Sequence, residues 1–222
     1  MTSLSLLRLL NLTSPALPIG AFAYSQGLEW AIEKDGVDTP KAIQDWIQHV
    51  LSEGIGHTDL PAMQRIYLAI EANDTEAIHY WNHWLIASRE TQELSDEDRN
   101  LGQSLLRLLK QQGIASQVLG DQGQISMVSA WAYASVVWEI PLNNAALGFC
   151  WSWVENQIAV ACKVLPLGQT NAQSVLLALM PAIEHTVANG LLLSDDKMGG
   201  SLPGWVMASV AHETQYSRMF RS

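Results

Sequence analysis

The sequence predicts an all-α protein, a single-domain helical bundle, and three observations support that fold class. Apolar residues recur at helical spacing in one segment after another. Capping and stop residues bracket most of those segments. No stretch shows the apolar–polar alternation of a half-buried strand. The length of 222 residues suits one compact core.

The elements follow in chain order. Leu4 to Leu12 is leucine-rich but is not expected to be a signal peptide. It has no basic leader, Arg8 interrupts it, and Pro15 and Pro18 follow closely. Ser14 to Tyr24 is rich in Pro and Gly and is expected to be a flexible N-terminal segment. Ile43, Trp46, Ile47, Val50 and Leu51 then form one apolar face, with Gln44, Asp45, Gln48 and His49 opposite. Thr39 and Pro40 supply the cap and first residue of that helix. Met63, Ile66, Tyr67 and Ile70 repeat the pattern, as do Ile78, Trp81 and Leu85. Ser95 with Asp98 reads as a capping box before Leu101, Leu105, Leu108 and Leu109, and Gly113 ends that helix.

The second half is more apolar. Ser126 to Trp138 reads as a helix with little polar surface, and Pro141 restarts the chain. Leu142 to Val164 is a long, nearly buried helix. Pro166 and Gly168 break it before Asn171 to Val187, where Pro181 predicts a kink. These last two helices are expected at the centre of the bundle. A helical domain over residues 1–193 is thus expected, followed by a flexible partner-binding tail over 194–222. Gly199, Gly200, Pro203 and Gly204 punctuate that tail, and such segments commonly order on binding.

Composition narrows the function. Net charge is −10, from 12 Lys and Arg against 22 Asp and Glu, which disfavours nucleic acid and anionic membrane surfaces. No run of residues suits a transmembrane helix; Val164 to Ile183, an uncharged stretch as long as any in the chain, holds two Pro. Only 15% of residues are charged and 48% are hydrophobic, so apolar surface is expected at partner interfaces. Cys150 and Cys162, on one helix, would lie about 18 Å apart, too far for a disulfide. Unpaired thiols fit a cytoplasmic location.

Catalytic patterns are missing. The sequence contains no G-x-x-x-x-G-K-[ST], no G-x-G-x-x-G and no G-x-S-x-G. His79 and His83 share a helical face at i and i+4 but lack the intervening Glu and a third ligand of a metal site. No enzymatic activity, cofactor or resident metal is expected. Two isolated charges stand out instead: Glu29 is the only charge from Leu9 to Ile32, and Lys163 the only one from Asn156 to Ile183. Each either reaches solvent or sits at the rim of an interface.

Ser14-Pro15, then Leu17 to Ser25 and Gly27-Leu28-Glu29, resembles the N-terminal signature of the urease accessory protein F family. Ser88-Arg89-Glu90-Thr91, Arg99 with Gly102, Leu105 and Leu106, Pro166-Leu167-Gly168-Gln169, and His212 to Arg218 followed by Phe220 and Ser222 match further family stretches in order. Ala21, Ala23 and Gln92 depart from residues common there. The resemblance implies an all-helical protein that tends to form homodimers. It implies a complex with accessory protein D (also called H) and the GTPase accessory protein G, which delivers nickel to apo-urease. It also leaves open a GTPase-activating role through Arg218 or Arg221, and direct nickel carriage by His79 and His83. Residues expected at partner interfaces are Phe22, Tyr24, Glu29, Lys163, Gln169, His212, Gln215, Tyr216, Arg218, Phe220 and Arg221. Tyr216 and Phe220, with Met219, would share one apolar face if the tail became helical on docking.

Overall fold

A computed structural model describes residues 1–114, 119 and 124–222, and the protein is all-α: no strand occurs among the described residues. Helix α1 spans Ser3–Leu12, capped by the Thr2 side chain, and α2 spans Leu28–Lys34. Helix α3, Pro40–His49, opens on the predicted Thr39 cap with Pro40 at its first position. It runs into a π-helical turn, Val50–Ile55, that carries its apolar face onward. Helices α4, Asp59–Glu71, and α5, Thr75–Ala87, follow.

Helix α6 spans Gln92–Gln111 and corrects the expected start. Thr91, not Ser95, is the cap, its Oγ1 accepting from the Leu94 N–H at 3.2 Å. Asp98 lies inside the helix and turns inward to a buried arginine instead. Gly113, at φ +79°, follows the helix as predicted. Helix α7, Met127–Val137, is capped by Ser126, and α8 covers Leu142–Val164. Helix α9 is longer than expected, Gln169–Gly190, and continues through Pro181. Helix α10 spans Pro203–Glu213, within the segment expected to be a tail.

Packing follows from which faces are apolar. Helix α7 is the most enclosed, with Val128 to Ser135 all buried between α4 and α6. Helix α8 packs on α2, α7 and α9, while α9 leaves Leu177 and Met180 exposed and so lies at one side of the core rather than its centre. Helix α10 sits against α2 and α6. Gly27 makes this seat possible: at φ +79°, it lies so close to α10 that an added Cβ would come within 2.8 Å of the Ser209 nitrogen. Among the described residues, no helix is long and apolar enough to cross a membrane.

Candidate partner-binding surface

The segments that hold most of the candidate residues converge. The Pro/Gly segment folds as a loop with a 3₁₀ turn, Ala21–Ala23, ahead of α2. The C-terminal residues that follow α10 run beside it. Arg221 N–H donates to Ala23 O at 2.8 Å, and Ser25 N–H donates to Ser222 O at 2.6 Å. The C-terminal residues are therefore seated on the helical body in an irregular, bent form. Tyr216, Met219 and Phe220 are not helical in the chain alone: α10 stops at Glu213, and Phe220 turns into the core at 5% exposure.

Glu29 is the keystone of this seat, and not a rim charge: it is 1% exposed. Its Oε1 accepts from Met219 N–H at 2.7 Å and its Oε2 from Phe220 N–H at 3.1 Å. The same Oε2 lies 3.1 Å from Nε2 of His212, whose Nδ1 lies 2.8 Å from Oε2 of Glu93. Both imidazole nitrogens thus face carboxylate oxygens. Arg218 Nη1 donates to Glu93 Oε1 at 2.6 Å and closes the series. Burial pushes the Glu93 carboxyl up, while its bond to His212 pulls it down. His212 itself is wholly buried, so it positions the C-terminal segment and offers no surface to a partner.

The other candidates divide between support and surface. Tyr24 is buried: its backbone oxygen accepts from Asn156 Nδ2 at 3.1 Å, and its hydroxyl from Asn100 Nδ2 at 3.4 Å. Gln215 donates to Glu33 Oε2 and to Ser217 O. Lys163 is exposed, with its ammonium 5.8 Å from the Phe22 ring centre and 5.2 Å from that of Phe220. Phe22 is 63% exposed and Tyr216 fully so, and Gln169 and Arg221 are exposed as well. Met207, Val210 and Met219, on α10 and the residues beyond it, are exposed apolar side chains too.

Beneath this surface lies a polar centre that sequence reasoning missed. Arg89 Nη2 donates to Asp59 Oδ1 at 2.7 Å and its Nε to Asp98 Oδ2 at 3.2 Å, with all three side chains largely buried. Asp98 Oδ1 also accepts from Met127 N–H at 2.9 Å and so helps to start α7. The two carboxylates hold Arg89 firmly charged despite burial. Beside them is a cavity of about 90 Å³, lined by these three residues together with Gln26, Glu97, Trp153 and Trp205. Gln26 Nε2 donates to Glu97 Oε1 at 2.8 Å, and Ser222 Oγ donates to Glu97 Oε2 at 2.9 Å. Burial pushes the Glu97 carboxyl up to about 7 against those two bonds. The Ser-Arg-Glu-Thr motif was the available signal: Arg89 forms the ion pairs, and Thr91 caps α6 and bonds Ser209 of α10 at 2.8 Å.

Metal and thiol chemistry find little support. Among the described residues, no group of three or more His, Cys, Asp and Glu is placed to hold a metal ion. His79 is half-buried and His83 exposed on α5. Both cysteines are free; Cys150 is buried and burial raises its thiol, whereas Cys162 is exposed.

Comparison with known proteins identifies the family. A family model described as UreF matches residues 37–180, more than half of the chain. The chain belongs to the UreF family. The urease accessory protein UreF of Hahella chejuensis is 54% identical over 222 residues, covering 100% of both chains. That of Alkalilimnicola ehrlichii is 44% identical over 216 residues, 97% of this chain and 95% of the relative. That of Chromohalobacter salexigens is 45% identical over 219 residues, 99% and 95% respectively. The names of these relatives are those of accessory proteins rather than of enzymes.

Proposed function

We propose that this chain acts in urease maturation as an adaptor. It joins accessory protein D (or H) and the GTPase accessory protein G in a cytoplasmic complex that delivers nickel to apo-urease. In this role it is a chaperone and a homodimer, and has no catalytic activity of its own. The observation that carries the proposal is the family match, with 54% identity to a urease accessory protein along the whole chain. The exposed side chains of Phe22, Met207, Val210, Tyr216 and Met219 support it, since aromatic residues and Met are enriched at partner contacts. Lys163 and Arg221 lie at the same end and suit the pairing of a partner carboxylate.

The test is co-purification of the D and G proteins with and without this chain. The adaptor role predicts that G elutes with D only when this chain is present. Elution of D with G in its absence, or failure of all three to assemble, would overturn it. The exposed guanidinium of Arg221 favours one alternative, activation of the partner GTPase by an inserted arginine. Arg218 is less suited, being held by Glu93. Under that alternative, Arg221→Ala leaves assembly intact and lowers GTP hydrolysis by about a thousandfold.

A further inference from the structure

We propose that residues 214–222 form a proton-linked clasp, whose docking on the helical body tightens with proton uptake and loosens as pH rises. The inference concerns the chain alone and stands whether or not the adaptor role holds.

The clasp is built from contacts that cover acidic groups. Met219 and Phe220 donate their N–H groups to Glu29, and the Ser222 hydroxyl donates to Glu97. Arg221 and Ser222 exchange backbone bonds with Ala23 and Ser25, and the Phe220 side chain is buried behind them. The segment therefore sits over two carboxylates, each almost wholly buried.

The surrounding charges do not neutralise this acidity. Facing Glu29 are His212 and, through it, Glu93 with Arg218. Glu213 and Glu33 lie at the edge, next to Glu93 and Gln215 respectively. Lys163 reaches over the Phe220 ring. Facing Glu97 are Gln26 and Ser222 as donors, Asp98 as a like charge, and Arg89, which Asp59 and Asp98 already engage. Among the described residues, Glu97 thus has hydrogen bonds but no salt bridge of its own. Placing a charge there costs more when Ser222 closes over it than when the site is open to water.

The direction follows from linkage. Burial raises the docked Glu97 carboxyl from 4.5 to about 7, so the docked state binds the proton more tightly than the released state. The contribution of Glu97 to docking then falls as pH rises through 7 and levels off above that. Full return of the released carboxyl to its ordinary 4.5 sets the upper bound, a fall in the docking constant of about tenfold between pH 6 and pH 8.

Amide hydrogen exchange on the full chain tests this, with protection factors corrected for intrinsic exchange at pH 6, 7 and 8. The Met219 and Phe220 amides should lose protection, by up to about tenfold, across that range, while amides of α7 hold constant. Glu97→Gln, which mimics the protonated carboxyl, should keep the segment protected at pH 8. Ser222→Ala removes a bond that favours the charged form and should move the midpoint to higher pH. A flat profile in the unmodified chain would overturn the proposal. So would a Glu97→Gln profile that keeps the original slope, or a loss of protection shared equally by α7.

Discussion

Arg89→Ala should be among the most damaging single changes in this chain. The guanidinium bonds Asp59 and Asp98 at 2.7 and 3.2 Å, and the three side chains are only 12%, 7% and 6% exposed. Removing the cation leaves two buried carboxylates without a counter-charge, a loss of about 3–5 kcal/mol. For a domain of this size, each kcal/mol lowers Tm by about 2–4 °C, so the expected fall is about 6–20 °C. The loss should also depend on pH. Burial already raises the Asp98 carboxyl, with Arg89 pulling it down; without Arg89 it rises further. A folded carboxyl raised in this way favours folding at low pH and opposes it once ionised, so the variant should lose more Tm at pH 8 than at pH 5. Calorimetry on Arg89→Ala at both values measures this. The double variant Arg89→Ala/Asp98→Asn keeps an acceptor for Met127 and should recover part of the loss. A Tm within about 2 °C of the original chain, or equal losses at both pH values, would refute the ion-pair account.

Three further changes separate support from surface. Glu29→Ala strands the Met219 and Phe220 N–H groups and one side of His212, and should lower Tm by about 6–12 °C, from a loss of about 3 kcal/mol. An unchanged melting curve with weaker partner binding would restore Glu29 to the interface rim. Gly102→Ala places a Cβ 2.2 Å from Ile125 O and 2.6 Å from the Ser126 carbonyl carbon, and should cost about 3 kcal/mol by thermal melting as α6 and α7 are forced apart. Lys163→Ala removes exposed contacts with Phe22 and Phe220 worth about 1 kcal/mol, so Tm should fall by no more than about 4 °C. Its association rate with the accessory GTPase should fall most at low salt, as measured by surface plasmon resonance.

The helices were legible in the sequence because period and punctuation agree there. Thr39 with Pro40, Ser126 and Gly113 bound their elements as expected, and Leu142–Val164 matches its helix at both ends. The start of α6 was misplaced because Thr91 and Ser95 carry equivalent local signals in a charged stretch. The choice is made by distant partners: Ser209 holds Thr91, and Arg89 draws Asp98 inward. Glu29 illustrates the same limit. Its isolation in an apolar run was plain, but its partners His212, Met219 and Phe220 lie more than 180 residues along the chain. Gly and Pro near residue 200 suggest a flexible tail, while Trp205 and Phe220 anchor the segment to the body. Trp205 Nε1 donates to Gln26 O, and Phe220 fills a slot in the core. Pattern reports local conformation, whereas seating depends on the shape of the surface that receives the segment.

Gln26 shows what such seating demands of one position. It is a non-glycine residue at φ +54°, a left-handed conformation that costs about 1 kcal/mol and that glycine would relieve. Its amide nevertheless spans Glu97 and the indole of Trp153, and its backbone oxygen receives the indole of Trp205. Glycine would ease the backbone and lose both side-chain bonds; a longer or charged side chain would keep the strain and misplace the donors. Position 26 should therefore be frozen in single-step variation and change only together with residues 97 and 153. A saturation library at this position, read against one built on a Glu97→Gln background, would expose that dependence as a shift in which residues are tolerated.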